Sequence, residues 1–145
     1  MAININESLR SAAFGAKTVR GIGEEMGNEA NLNQILSDLV KAGGVKTAVV
    51  VGRDGFVIDG VSDGFLDTET VGAVVSTGVG SSEVMGRELN VGIMSQGMME
   101  YDGGLIMMTL IGDAAILAVV ADPQSNLGYI RLQIRKRLPD IEKAI

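Results

Sequence analysis

Two groups of charged side chains in this chain have types and spacing that invite chemistry. Asp59, Asp63, Asp67 and Glu69 place four carboxylates close together, as a calcium site would. An EF-hand loop needs ligands at alternate positions, which this spacing does not supply, so the group reads as a solvated acidic loop. The same carboxylates offer pairs for glycoside chemistry, but nothing in the sequence fixes their separation. Arg131, Arg135, Lys136 and Arg137 form the second group. Such cations either offset the dipole near a helix C-terminus or form a docking patch for an acidic partner.

The residues that are missing exclude more. The 145-residue chain has no Cys and no His. That removes disulfides, thiolate zinc sites, redox dithiols and every His-dependent catalytic pair or metal site. Gly21, Gly23 and Gly27 follow a helical pattern rather than a strand, so they read as a linker and not a dinucleotide loop. No G-x-x-x-x-G-K-[ST] loop is present either. No cofactor is expected. The net charge of −6 gives nucleic acid a poor surface. Basic charge gathers at the two ends: residues 1–23 carry a net +2 and residues 127–145 a net +3. The first 23 residues are acid-poor like a transit peptide, but their glycines weaken any helix there. No apolar run is long enough for a membrane span.

The elements that would position these groups follow from periodicity. Residues 5–20 read as a small-faced helix on Leu9, Ala12, Ala13, Ala16 and Val19. A second helix runs from Asn31 to Ala42 on Leu32, Ile35, Leu36, Leu39 and Val40, and Gly43-Gly44 ends it. Val45–Val51 is a β-branched strand. Arg53-Asp54-Gly55 turns it into Phe56–Val61, since Asp-Gly supplies the positive φ of a hairpin. A long helix follows, capped by Asp67 or Thr68 and ending near Leu89. Val91–Tyr101, Leu105–Ile111 and Ala114–Ala121 are strands joined by short turns. A last helix runs from Ser125 or Asn126 to Leu138, where Pro139 is expected to interrupt it. The fold class is α+β: a two-strand hairpin and a three-strand meander in one antiparallel sheet, sandwiched by helices. Residues 1–30 form a helical extension with a glycine linker, 31–138 the domain and 139–145 a tail.

With these elements in this order, the sequence resembles the roadblock/dynein light chain family. The residues that carry the resemblance are Gly44-Val45 leading into Ala48–Val51, the hairpin Asp54-Gly55-Phe56-Val57-Ile58, Gly103-Gly104-Leu105-Ile106, and the run from Leu110 to Val120 through Gly112-Asp113. The match spans about residues 31–138. The resemblance implies a dimer-forming, non-enzymatic regulator or scaffold of small GTPases, or a light chain of a motor complex. Bacterial members pair with a Ras-like polarity GTPase and stimulate its hydrolysis of GTP. The expectation is therefore a cytoplasmic homodimer that regulates a Ras-like GTPase, with a non-catalytic adaptor as the alternative and, disfavoured by the missing His and Cys, an enzyme or small-ligand sensor as a third reading. An arginine finger would have Arg53 or Arg87 as candidates.

The long central helix divides into two stripes. Val71, Val74, Val75, Gly78, Ser82, Met85 and Leu89 are expected to face the sheet. Glu69, Ala73, Ser76, Gly80, Glu83 and Arg87 form the opposite stripe, small in the middle and charged at the ends. Read against its own reverse about Gly78, Glu69 meets Arg87, Ala73 meets Glu83 and Ser76 meets Gly80, the self-complementarity that a two-fold interface requires. A glycine-rich solvent face is the plainer alternative. These six residues are the candidate dimer interface, together with the strand Val91–Tyr101. Arg53, Arg131 and Arg135 are the candidate partner-binding residues.

Overall fold

The computed structural model describes residues 31–64 and 66–145. The expected helix over 5–20 and its glycine linker lie outside the described residues. Helix α1 covers residues 31–40. Leu32, Leu36 and Leu39 recur at the spacing of one helical face, and all three are buried. Gly44 then takes a φ of +90°, which releases the chain into the first strand.

Five strands form one antiparallel sheet: β1 (Val45–Gly52), β2 (Val57–Ser62), β3 (Gln96–Tyr101), β4 (Gly104–Ile111) and β5 (Ala115–Ala121). Their spatial order is β2-β1-β5-β4-β3. The strands nearest the middle, β1 and β5, are buried on both faces, which is why each reads as an almost continuous apolar run. The hairpin turn forms where Asp54-Gly55 predicts it, with Gly55 at φ +91° and a Gly52 N–H to Phe56 carbonyl bond of 2.9 Å. β2 begins one residue later than expected, at Val57.

Side-chain alternation splits the core in two. Ala48 and Val50 of β1, Leu105 and Met107 of β4, and Leu117 and Val119 of β5 face α1 and the last helix, α3 (Leu127–Ala144). Val49, Val51, Met108, Ile116 and Ala118 face the other way, against helix α2 (Thr68–Glu88). α2 carries the chain from the β2 edge of the sheet to the β3 edge, and among the described residues it is the one helix on that face.

Two boundaries differ from expectation for definable reasons. The third strand starts at Gln96, not Val91. Asn90 and Gly92 have φ of +58° and +100°, and the amides of Val91 and Gly92 both bond back to the Gly86 carbonyl. These residues close the helix, so Val91 to Ser95 becomes a loop. The last helix continues through Pro139 to Ala144 instead of ending at Leu138. Proline costs a helix one hydrogen bond, but Ile141, two residues on, is fully buried and anchors the end of the helix in the core. The segment expected as a tail is thus mostly helical. Arg131, Arg135, Lys136 and Arg137 consequently sit in the middle of the helix, too far from its C-terminus to offset its dipole. Lys143 is the cation in the last turn.

Candidate functional site

The site is built around α2. Asp67 caps the helix: its carboxylate accepts from the Glu69 amide and, at 3.0 Å, from the Thr70 hydroxyl. It is therefore a structural acid. Asp59 accepts from Asn33 at 3.1 Å and from the Gly60 amide at 2.8 Å. No cluster of three or more possible metal-binding side chains occurs among the described residues.

The sheet-facing side of α2 is Val71, Gly72, Val75, Val79 and Gly86. This corrects the expected stripe, because Val74, Met85 and Leu89 are exposed. The cause is backbone proximity. A Cβ on Gly72 would lie 2.7 Å from a Val51 methyl and 2.9 Å from the Gly55 carbonyl oxygen. A Cβ on Gly86 would lie 2.5 Å from the Gly92 carbonyl oxygen. Glycine at both places lets the helix settle on the sheet and on the loop after it. The helix is rotated so that these glycines face inward and several large apolar residues face outward.

Of the six expected interface residues, Glu69, Ala73, Gly80 and Arg87 are exposed, and nothing lies within 4 Å of a Cβ built on Gly80. Ser76 and Glu83 are half-buried. Ser76 lies against Gly55 of the hairpin turn. Glu83 accepts two hydrogen bonds from Arg53, Nη1 to Oε1 at 2.7 Å and Nη2 to Oε2 at 2.6 Å. Arg53 Nε donates to the Asp113 carbonyl at 2.7 Å. The hydrogen bonds from Arg53 hold the Glu83 carboxyl below its ordinary range, and the same bonds raise the Arg53 guanidinium. Arg53 thus ties the β1–β2 turn to both α2 and the β4–β5 turn.

The apolar surface was hidden from the sequence reading. Met85 is 59% exposed, Leu89 68% and Ile93 94%, and Val74, Val84 and Val91 are exposed beside them. They lie along α2 and in the loop after it, next to β3, whose outer edge has no neighbouring strand among the described residues. The legible signal was the pair Gly72 and Gly86, whose spacing marks the close-approach side.

Arg53, Arg131 and Arg135 lie far apart in sequence, yet all three line one cleft of about 350 Å³. It runs from the end of the sheet to the outer side of α3. Ile93 and Met94 lie between this cleft and a second hollow, which Glu83 and Arg87 border. The structure does not bring Arg131 or Arg135 to α2.

The architecture is an α+β sandwich whose single-helix face keeps an apolar strip in the open. The chain belongs to the Roadblock/LC7 domain family, whose model matches residues 31–121. It is 38% identical over 114 residues to the uncharacterized protein MJ0310 of Methanocaldococcus jannaschii, covering 79% of this chain and 98% of that one. The fold is similar to that of MglB from Myxococcus xanthus, with a TM-score of 0.73 at 21% identity, over 79% of this chain and 86% of that one. It is also similar to a structure of MglB in a tetrameric arrangement, with a TM-score of 0.71 at 16% identity, over 81% and 93% of the two chains. Among the described residues, no helix is long and apolar enough to cross a membrane.

Proposed function

We propose that the protein is a cytoplasmic homodimer that binds a small Ras-like GTPase and stimulates its GTP hydrolysis, without an active site of its own. The observation that carries the reading is the set of exposed apolar residues on α2 and its following loop, beside β3, whose outer edge is unpaired among the described residues. Several large apolar residues exposed on one element mark a protein interface, and an unpaired strand edge is a template for a second strand. A second copy placed across a two-fold axis covers both features at once. The roadblock resemblance supplies the class of the further partner. A GTPase seated over the paired helices would cover the axis, giving one GTPase per dimer.

The commitment of Arg53 favours ordering of the GTPase over an arginine finger. Its guanidinium is already bonded to Glu83 and to the Asp113 carbonyl. A finger must instead be free to reach the transferred phosphoryl group. Stabilising the competent arrangement of the GTPase's own switch segments is enough to raise the rate. Single-turnover hydrolysis by a Ras-like GTPase from the same organism, at saturating dimer and beside a binding titration, tests this. Arg53→Ala and Arg87→Ala are expected to lower activity only as far as they lower binding. A large loss of rate with binding intact for either variant sinks the ordering mechanism. Binding by the wild type with no change in rate makes the protein an adaptor instead.

A further inference from the structure

The cleft between α3 and the β3–β4 edge has a chemistry that the interface on α2 does not use. Its α3 side is apolar, with Ile134 and Leu138 among the lining residues. Two polar side chains of the sheet line it as well. Thr109 is 7% exposed, and its hydroxyl oxygen is buried without a hydrogen-bond partner. Gln96 stands opposite Thr109 in the β3–β4 register, so both side chains lie on the same face of the sheet. The Gln96 amide has no hydrogen-bond partner among the described residues. A buried hydroxyl without a partner costs stability, and such groups persist where something else satisfies them.

The rim carries the charge. Arg131 and Arg135 stand on successive turns of α3, both exposed, and neither has a carboxylate partner among the described residues. Among the described lining residues Asp113 is the one carboxylate, and the third arginine, Arg53, is already paired with Glu83. The uncommitted charge at the mouth is therefore positive. Guanidinium groups recognise carboxylate and phosphate oxygens through paired N–H donors. The cavity of about 350 Å³ falls within the range of small-molecule sites.

We propose that this cleft binds a small amphipathic anion: one carboxylate or phosphate head held by Arg131 and Arg135, with a short apolar body against Ile134 and Leu138. Thr109 and Gln96 meet a polar atom of that body. The arginines of the site stand on α3 and the proposed dimer helices are α2, with Ile93 and Met94 bordering both.

The full chain, labelled with nitrogen-15, is titrated with 4-phenylbutyrate, phenyl phosphate and inorganic phosphate, and the backbone amides are followed by NMR. The two organic anions should shift Gln96, Thr109, Ile134 and Arg135 saturably at millimolar concentration. The double variant Arg131→Gln/Arg135→Gln should weaken that binding by about tenfold or more. Thr109→Val should weaken binding without lowering the melting temperature, because it removes a hydroxyl that bonds to nothing in the free protein. A melting temperature that falls in Thr109→Val overturns the assignment, since the hydroxyl is then serving the fold. So does an absence of saturable shifts at these amides, or undiminished affinity in either variant. Inorganic phosphate binding as tightly as phenyl phosphate overturns the apolar half of the proposal. None of these readouts involves the GTPase.

Discussion

Arg53 and Glu83 are the most consequential pair at the residue scale. Thirty positions separate them, and a two-pronged hydrogen bond joins the hairpin turn to the side of α2. Both side chains keep contact with water, so the stabilisation belongs with exposed pairs, under about 1 kcal/mol. Its pH dependence has a fixed sign. The Glu83 carboxyl is held below its ordinary value of 4.5, chiefly by the hydrogen bonds from Arg53. The charged pair therefore contributes fully above that ordinary value and loses its contribution as pH falls through the lowered one. Glu83→Gln should lower the melting temperature slightly at neutral pH. In acid strong enough to protonate Glu83 the variant and the wild type should melt alike. A difference that persists there would assign the loss to packing instead. This pairing was not legible in the sequence, where Glu83 reads as one end of a self-complementary stripe. Sequence spacing reports which residues share a helix face, but not which distant turn leans on that face. The capping role of Asp67 was legible, because a cap depends only on its nearest neighbours in the chain.

At the scale of elements, the strands and their order could be read from β-branched runs and from turns that need glycine. Gly55 and Gly112 take positive φ at turns that the sequence placed. The rotation of α2 could not be read, because glycine has no hydropathy signal strong enough to outweigh Val74, Met85 and Leu89. Close approach decides the phase, and it leaves a testable contrast. Gly72→Ala puts a methyl 2.7 Å from Val51 and 2.9 Å from the Gly55 carbonyl. It should destabilise by about 1–3 kcal/mol of overpacking, less the roughly 1 kcal/mol that alanine returns in helix propensity. Gly80→Ala enters open space and should stabilise the protomer by up to about 1 kcal/mol. Urea titration of both variants checks the ordering. Equal effects would mean that α2 does not sit on the sheet through Gly72. The helix past Pro139 was illegible for a related reason: the burial of Ile141 is a tertiary fact that outweighs the local penalty.

For the whole molecule, the two faces of the sheet are unequally finished. One is covered by two helices, α1 and α3, over the larger core. The other has, among the described residues, α2 alone, over a smaller core in which Met99, Ile106 and Leu110 are only partly buried. The β3–β4 side of that face is the side toward which Gly78 looks, since a Cβ there would touch the Met108 sulfur at 3.5 Å. Val74 and Met85 border the same flank and continue it outward, as the helical spacing of 74, 78, 81 and 85 requires. A second copy related by a two-fold axis can close this flank with its own α2, with the two β3 edges side by side. The rotation of α2 therefore moves the expected contact from the stripe Glu69, Ala73, Ser76, Gly80, Glu83 and Arg87 toward Val74, Met85 and Leu89. Met85→Lys places a charge where a partner helix would pack, at a side chain that is 59% exposed in the protomer. It should leave the circular dichroism spectrum unchanged and halve the mass measured by sedimentation equilibrium. Gly80→Leu is the control for the original stripe. If Gly80→Leu dissociates the dimer and Met85→Lys does not, the helices meet along Glu69, Ala73, Gly80 and Arg87. If Met85→Lys alone dissociates it, the apolar flank is the seam and Arg87 is left free at the surface for the GTPase. A wild type that sediments as a monomer defeats both arrangements, and the apolar strip must then belong to a different partner.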